Sequence, residues 1–405
     1  MTDIKTIIIA NNLLAKESPA STIELDLLDE LSKNGVCVDA FCSSRGRLRN
    51  KSANYNTIVV KELGWYRYVF RLIRFVIPDL CYLPDYQYLS WGRKVRKAIR
   101  KKIAIEKPDY IHSFSFACSC HLVAYKLHKE FGIPWIATFF DSWSDYPARK
   151  FKTKFFRRID QKLERMVAEN ATVIVHDNEG IAKLWAERYG EETAKKIVVI
   201  PLNVNFSNIK KNVSNSNNKQ QLNLSHIGSF YPQRDASAFI DAIYRFTITY
   251  PQLRNRIRVN FVGKSLDKDR KRITDLGMTD LFNITGQISA EECKHYYDLS
   301  DVFFATAGME FEKISFPSKI LKYFFYEKPI LGLTPHGTVL ETELKNAGHR
   351  CYEPNDVEGI VSYIYNAIND YSCICDFNKE YWQRFTVDSV ADQYLNAINN
   401  YIKKL

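Results

Sequence analysis

Two short segments in the second half of the sequence combine the residue types that proteins use to bind phosphate. The first, residues 228–235, begins with Gly228 at the end of a predicted strand, continues as a polar turn containing Arg234, and leads into a predicted helix. Backbone amides and a helix N-terminus can approach a phosphate at such a turn, and an arginine can pair with two of its oxygens. An ordinary strand-to-helix turn with an exposed arginine explains the segment equally well.

The second segment is a predicted helix start at Pro317-Ser318-Lys319. A proline near the first position favours a helix start. The amides of Ser318 and Lys319 would then lie at the positive end of the helix, where anions bind. Lys264, after another predicted strand, offers a further cation, although a single loop lysine is usually only solvated. Each of these patterns is common in proteins when it occurs alone. The evidence for a phosphate-binding site therefore comes from their order along the chain.

Candidates for acid–base chemistry lie in the first half of the sequence. His112 is near the end of a predicted strand, and Asp141 follows the next one, with Trp143 close behind. Asp141 could take or orient the proton of a hydroxyl group, or it could be a turn or helix-capping residue. His112 could face the same ligand, although a hydrogen-bonded histidine of the core is the more frequent case. No cysteine clusters with histidine at zinc spacing, and no metal site is expected.

The hydrophobic pattern predicts the elements that would position these residues. Short apolar runs, beginning with residues 4–10, alternate with longer helical patterns, beginning with residues 18–33. This alternation predicts an α/β fold with two Rossmann-like domains and an interdomain cleft, in which ligands bind beyond the carboxyl ends of the strands. The predicted divisions are an N-terminal domain over 1–205, a linker over 206–221, a C-terminal domain over 222–378, and a final helix over 379–405 that could pack back on the N-terminal domain.

Composition indicates a globular protein in a reducing compartment. The 405 residues are 46% hydrophobic and 25% charged, which is ordinary for a folded protein. No run approaches the ~20 apolar residues that span a bilayer. The nine cysteines contain no CxxC spacing and are expected to be reduced thiols, so a cytoplasmic location is expected.

The net charge of +11 is concentrated in residues 65–102, which contain ten Lys or Arg, two Asp and nine aromatic side chains. Residues 65–77 mix aromatic and aliphatic side chains with arginines, and residues 93–102 predict a basic helix with an apolar face. Such segments lie on anionic membrane surfaces, so peripheral contact with the inner face of the membrane is one interpretation. Helices packed by their aromatic face, with a solvated basic rim, are the alternative. Nucleic-acid binding is not favoured, because this window alone would have to form the recognition module.

Residues 222–350 resemble the donor-binding half of GT-B glycosyltransferases of the family 4 type. The motifs of that family occur here in order: a glycine loop with a basic residue at 228–234, Val262-Gly263, Thr285-Gly286-Gln287-Ile288, a Pro-Ser-Lys helix at 317–323, and Lys328-Pro329-Ile330-Leu331. The N-terminal half is similar more loosely, through Phe140-Asp141-Ser142-Trp143 and Ile200-Pro201-Leu202-Asn203.

The resemblance implies a role for each matched position of the nucleotide-sugar-binding half. The backbone of Gly286, Gln287 and Ile288 would contact the nucleotide base. Arg234, in the loop that begins with Gly228 and Ser229, would contact the diphosphate, and Lys264 remains a candidate second cation there. The helix start at Ser318 and Lys319 would contact the phosphate or the sugar.

The sequence departs from the family pattern at three places. Ser229 stands where an arginine is usual. Lys322 replaces a glutamate that contacts the donor, and Glu310 or Glu312 could compensate for it. The glycine pair that usually follows the first strand of the N-terminal domain is absent from residues 11–21.

By this resemblance the protein is expected to be a glycosyltransferase that moves a hexose or similar sugar from a UDP- or GDP-type nucleotide sugar. The acceptor would be a saccharide or lipid-linked saccharide bound by the N-terminal domain, with retention, in cell-surface glycan biosynthesis. Asp141 and His112 are the candidate catalytic residues, and no cofactor or metal is implied, since Arg234, Lys264 and helix dipoles can meet the diphosphate charge. Two alternatives stay open: a nucleotide-sugar epimerase or hydrolase on the same fold, and a non-catalytic relative that binds glycan or membrane.

Overall fold

The computed structural model describes residues 4–16, 18–44, 48–85, 88–115, 117–147, 149–206, 221–231, 236–308 and 313–402. The chain divides into two compact units, Met1–Asn205 with Phe385–Leu405, and Phe206–Arg384. Each unit contains a parallel sheet flanked by helices, so the predicted α/β fold with two Rossmann-like domains is confirmed. The predicted linker, 206–221, lies almost entirely outside the described residues.

The first unit is built on a parallel sheet. Its strands are β1 (Ile4–Ile9), β2 (Val36–Ser43), β3 (Asn56–Val60), β4 (Tyr110–Phe114), β5 (Trp135–Phe139), β6 (Val173–His176) and β7 (Ile197–Val199). Within the described ranges they lie in the order β3-β2-β1-β4-β5-β6-β7. Its helices are α1 (Pro19–Lys33), α2 (Tyr66–Val76), α3 (Arg93–Ile105), α4 (Ser119–Phe131), α5 (Lys154–Asn170), α6 (Glu179–Tyr189), α7 (Glu191–Ala194) and, after the second unit, α15 (Val387–Tyr401).

The second unit repeats this plan. Its strands are β8 (Leu222–Ile227), β9 (Ile257–Val262), β10 (Phe282–Gly286), β11 (Val302–Thr306), β12 (Ile330–Leu333) and β13 (Arg350–Tyr352). In the part of the chain that is described, they lie in the order β10-β9-β8-β11-β12-β13. Its helices are α8 (Ser237–Thr249), α9 (Asp267–Asp275), α10 (Ala290–Leu299), α11 (Lys319–Tyr326), α12 (Val339–Asn346), α13 (Val357–Asn369) and α14 (Lys379–Gln383). Among all the described helices, none is both long enough and apolar enough to cross a bilayer.

Strand β3 was not predicted from the sequence. It lies at the edge of the first sheet and pairs with β2. Four of its five residues are at least partly exposed, whereas all five residues of the inner strand β5 are buried. A short, half-exposed edge strand gives a weaker hydrophobic signal than an inner strand.

A line of polar side chains crosses the second sheet. Asn260 Nδ2 donates to Ser225 Oγ over 3.3 Å, and Asn283 Nδ2 lies 3.2 Å both from Asn260 Oδ1 and from the hydroxyl of Tyr296. A shift of β8, β9 or β10 by one residue would turn these groups to the other face and leave them without partners. These side-chain hydrogen bonds therefore fix the register in which the carboxyl ends of β8, β9 and β10 lie side by side.

The C-terminal segment differs from the single helix that the sequence predicted. Helix α14 belongs to the second unit, and α15 belongs to the first. Between them the carbonyl of Phe385 accepts a hydrogen bond from Val204 N over 2.9 Å, and the side chain of Thr386 caps α15. This pairing with a distant segment interrupts the helix. The hydroxyl of Tyr394 on α15 then lies 3.2 Å from Thr138 Oγ1 in β5.

Helix α1 contains a buried carboxyl group that should make stability depend on pH. Burial raises the pKa of Glu24 from its ordinary value of 4.5 to about 8, so the folded chain keeps a proton that the unfolded chain releases between these values. Stability should therefore fall as pH rises through this window. Glu24→Gln removes the titration, and we expect it to gain stability relative to the wild type between about pH 5 and about pH 8.5.

Urea unfolding of both proteins at the two pH values measures this difference in the free energy of unfolding. Glu187→Gln, the same change at an exposed position of the same unit, is the control. A Glu24→Gln difference that stays constant with pH would contradict the account.

Candidate functional site

Three glycines end the neighbouring strands β8, β9 and β10 at one edge of the second sheet. Gly228, Gly263 and Gly286 have φ values of 139°, 127° and 69°, a range that glycine adopts without strain. Gly228 N donates to Val262 O over 2.7 Å, and Gly263 N donates to Gly286 O over 3.0 Å. The three strand ends are therefore joined into one backbone surface, which we call the glycine edge.

The glycine edge depends on a close approach between Gly263 and the turn after β8. A Cβ on Gly263 would lie 2.7 Å from the carbonyl carbon and oxygen of Gly228, and 3.1 Å from Ser229 N. Phe230 N donates to Lys264 O over 2.9 Å, which holds the two turns together. The backbone after β8 is thus fixed at the carboxyl end of the sheet, an arrangement that favours anion binding.

Helix α11 is the helix for which the sequence predicted an anion-binding start. It begins at Lys319, two residues after the predicted start at Pro317, and Ser318 precedes it with helical backbone angles and no side-chain cap. Tyr323 fastens the helix to the end of β8, because its hydroxyl accepts from Ile227 N over 2.8 Å and donates to Ile227 O over 3.2 Å. The helix start is therefore held beside the glycine edge.

The side chain of Lys319 lies over Gly228. A Cβ on Gly228 would be 3.3 Å from Lys319 Cδ and 3.6 Å from its Nζ. Lys319 Nζ lies 2.8 Å from His226 Nε2, and His226 Nδ1 lies 3.1 Å from the carbonyl oxygen of Phe304. Sequence reasoning missed His226, because a single histidine within a buried strand has no distinguishing pattern.

The turn after β10 continues the glycine edge. Gln287 is exposed and Ile288 is half-buried. Ser289 caps α10 and exchanges hydrogen bonds with Glu292 in a capping box, which holds the turn in place. The remaining candidates of this half, Arg234, Glu310 and Glu312, lie outside the described residues.

His112 and Asp141 differ in their access to solvent. His112 is fully buried, with Nε2 2.8 Å from Thr138 Oγ1, and burial lowers its pKa to about 3. This environment favours the interpretation of His112 as a histidine of the core. Asp141 is half-buried in the bend after β5, a position from which it can meet a ligand beyond the carboxyl end of the first sheet.

A buried ion pair holds the bend after β5. Arg149 pairs with Asp160, and Trp143 Nε1 donates to Asp160 Oδ1 over 2.8 Å. Arg149 also donates to the carbonyl of Pro84 over 2.9 Å, which ties the bend to the segment between α2 and α3. Packing and hydrogen bonding thus account for Trp143, and the same network fixes the backbone next to Asp141.

The sequence matches two family descriptions over adjoining ranges, Glycosyltransferase Family 4 over residues 20–207 and Glycosyl transferases group 1 over residues 207–381. The chain belongs to the GT-B glycosyltransferases of the family 4 type. It is therefore a sugar-transferring enzyme, and the family resemblance found in the sequence motifs is confirmed. A comparison with curated proteins gives no significant match.

Three solved structures share the fold of this glycosyltransferase. Anabaena HepE in complex with UDP and glucose is 14% identical, with a TM-score of 0.64 over 98% of this chain and 99% of that one. The lipopolysaccharide outer core galactosyltransferase WaaB is 14% identical, with a TM-score of 0.63 over 99% and 100%. The catalytic domain of starch synthase IV from Arabidopsis thaliana, bound to ADP and acarbose, is 11% identical, with a TM-score of 0.67 over 100% of both chains. At this identity the likeness shows the fold alone.

Gly263→Ala tests the close approach at the glycine edge. The added Cβ would meet the Gly228 backbone at 2.7 Å, so we expect a loss of about 3 kcal/mol in the free energy of unfolding. Gly277→Ala is the matched control, since Gly277 also has a positive φ of 65° but nothing within 4 Å of an added Cβ, and it should lose only about 1 kcal/mol. Urea unfolding followed by circular dichroism measures both, and equal losses would contradict the importance of the contact.

Proposed function

We propose that this glycosyltransferase moves a sugar from a UDP- or GDP-type nucleotide sugar to a saccharide or lipid-linked saccharide, with retention, in cell-surface glycan biosynthesis. The observation that carries the donor assignment is the glycine edge with Lys319, located where nucleotides bind in parallel sheets. The shared fold of HepE, solved with UDP and glucose, supports a nucleotide-diphosphate donor. WaaB, a lipopolysaccharide galactosyltransferase on the same fold, supports a cell-surface product.

In this proposal fixed dipoles and cations stabilise the diphosphate as it leaves the sugar. No metal or cofactor is part of the proposal. Asp141, rather than the buried His112, orients the acceptor hydroxyl. The proposed donor contacts are Gly228, Ser229, Arg234, Lys264, Ser318 and Lys319 for the diphosphate or sugar, and Gly286, Gln287 and Ile288 for the base.

Acceptor dependence distinguishes this proposal from its two alternatives. The experiment incubates the protein with a panel of UDP- and GDP-sugars, with and without saccharide and lipid-linked acceptors, and measures the nucleoside diphosphate released. We expect release only when an acceptor is present. Release without acceptor would indicate a nucleotide-sugar epimerase or hydrolase instead, and no release with any donor would indicate a non-catalytic relative.

Asp141→Asn should lower kcat by about 10²-fold with little change in donor affinity.

We also propose peripheral contact with the inner face of the membrane, and the exposed side of helix α2 supports it. Leu72, Phe75 and Val76 are 69%, 88% and 79% exposed, and Trp65 and Tyr68 are exposed on the same helical segment. The spacing of residues 65, 68, 72 and 75 aligns them along one face. A row of large apolar side chains in solvent marks a site of interaction, and the arginine content of residues 65–77 in the sequence favours an anionic surface.

Helix α3 offers fewer unpaired charges than its sequence suggests. Arg96 and Arg100 lie 3.3 Å and 2.7 Å from carboxylate oxygens of Glu130, and Lys102 Nζ lies 2.8 Å from Asp39. Each of these three cations is thus paired with a carboxylate of the first unit. The membrane proposal therefore depends more on α2 than on α3.

A double substitution, Leu72→Glu with Phe75→Glu, tests the membrane contact. Burial of each large apolar side chain contributes ~2 kcal/mol. We therefore expect binding to vesicles that contain anionic lipid, measured by co-sedimentation, to fall by about tenfold or more. Tyr244→Glu with Ile248→Glu, an exposed pair on α8, is the matched control and should bind like the wild type. Equal binding by the two double variants would reject α2 as the contact surface.

A further inference from the structure

We propose that His226 is a positioning residue that holds the ammonium group of Lys319 over the glycine edge, where the ammonium binds the diphosphate of the donor. This inference rests on the proposed function and deepens it. Ser229, the residue that follows Gly228, carries no charge. Among the described residues, Lys319 of α11 places a cation directly over this turn.

Hydrogen bonding determines which atom of His226 meets the lysine. The carbonyl oxygen of Phe304 can only accept, so Nδ1, 3.1 Å away, carries the imidazole proton and donates it. Nε2 then has a lone pair, and the Lys319 ammonium donates to it over 2.8 Å. The ring of His226 is buried and stacks on Phe230 with 4.0 Å between centroids. The imidazole is thus a fixed neutral acceptor, which leaves the positive charge on the lysine.

Lys319 reaches His226 by passing around the edge of the sheet. Successive residues of a strand point to opposite faces. Helix α11 packs on the face of Phe303 through a stacked tyrosine, whereas the ring of His226 contacts Phe304 on the other face. The lysine therefore crosses the carboxyl ends of the strands, and Gly228 leaves room for it because it has no side chain.

Two hydroxyl groups near this edge are buried without a hydrogen-bond partner among the described residues. Ser265 follows Gly263 by two positions, and Thr306 ends β11; each side chain is only 5% exposed. Buried hydroxyls are rarely left unpaired, and each can donate to a phosphate oxygen. Both hydroxyls lie at the carboxyl ends of strands, the edge of the sheet where Lys319 is held, and hydroxyl donors suit an anion with several oxygens such as a diphosphate.

Isothermal titration calorimetry on the full chain measures the affinity of each nucleoside diphosphate and of the matching nucleoside. The pairs are UDP with uridine, GDP with guanosine, and ADP with adenosine. The ratio of diphosphate to nucleoside affinity reports the contribution of the phosphates. Lys319→Met keeps the aliphatic stem over Gly228 and removes the charge, so we expect the ratio to fall by about tenfold or more. Lys271→Met, at an exposed position of α9, is the matched control and should leave the ratio unchanged.

His226→Phe tests the positioning role. Phenylalanine preserves the stacking on Phe230 but cannot accept a hydrogen bond from Lys319, so the ratio should fall by about three- to tenfold while nucleoside affinity stays the same. His226→Gln, which offers both an acceptor and a donor, should recover part of the loss, and a purely structural role would not give this recovery. His349→Phe, which removes another buried histidine of this unit, controls for lost packing, and thermal unfolding checks each variant.

The outcomes separate this inference from the proposed function. Acceptor-dependent transfer by the wild type, with an unchanged ratio in Lys319→Met, overturns the inference and leaves the function standing. A ratio that falls in Lys319→Met but not in His226→Phe overturns the positioning role. A ratio that falls in both, without any acceptor-dependent transfer, supports the diphosphate site and overturns the proposed transfer. Lys319→Met leaves the core packing in place, so it keeps the inference falsifiable even where His226→Phe does not fold.

Discussion

The close approach of two backbone turns, possible only because Gly263 has no Cβ, is the constraint on which the candidate donor site depends. It places the turn after β9 directly against the backbone of Gly228 and Ser229 at the end of β8. The polar line through Asn260 sets the register that makes this contact possible. Gly263 thereby fixes the position of the turn after β8, and Gly228 in that turn leaves room for the side chain of Lys319 to cross the sheet edge.

The long, continuous apolar runs made most of the fold predictable. Inner strands such as β4 and β5 are buried on both faces, so their sequences contain few polar residues and no charged Lys, Arg, Asp or Glu, and their bounds can be predicted. Prediction failed where distant contacts decide the structure. Strand β3 is recognisable only through its pairing with β2, and the break before α15 exists because Phe385 bonds to Val204. A helical pattern in the sequence carries no information about such a partner.

The candidate site was predictable only as far as its glycines and its helix start. Gly228 and Lys319 lie in recognisable motifs, whereas His226 acts through a carbonyl of β11 and a lysine of α11, both remote in sequence. His112 lies in a recognisable position, but the sequence could not show which way its side chain faces. A histidine near a strand end can face a ligand or the core, and the choice depends on α15, whose Tyr394 ring lies 5.5 Å from the imidazole.

The return of α15 to the first unit has a consequence for biosynthesis. This helix is synthesised after the whole of the second unit, yet it packs against Thr138 and His112 in the middle of the first sheet. Domains generally fold as units in the order in which they are made, but here the first unit lacks the packing of α15 until the second unit has been made. The first unit therefore completes its packing only after the chain of the second unit has been synthesised.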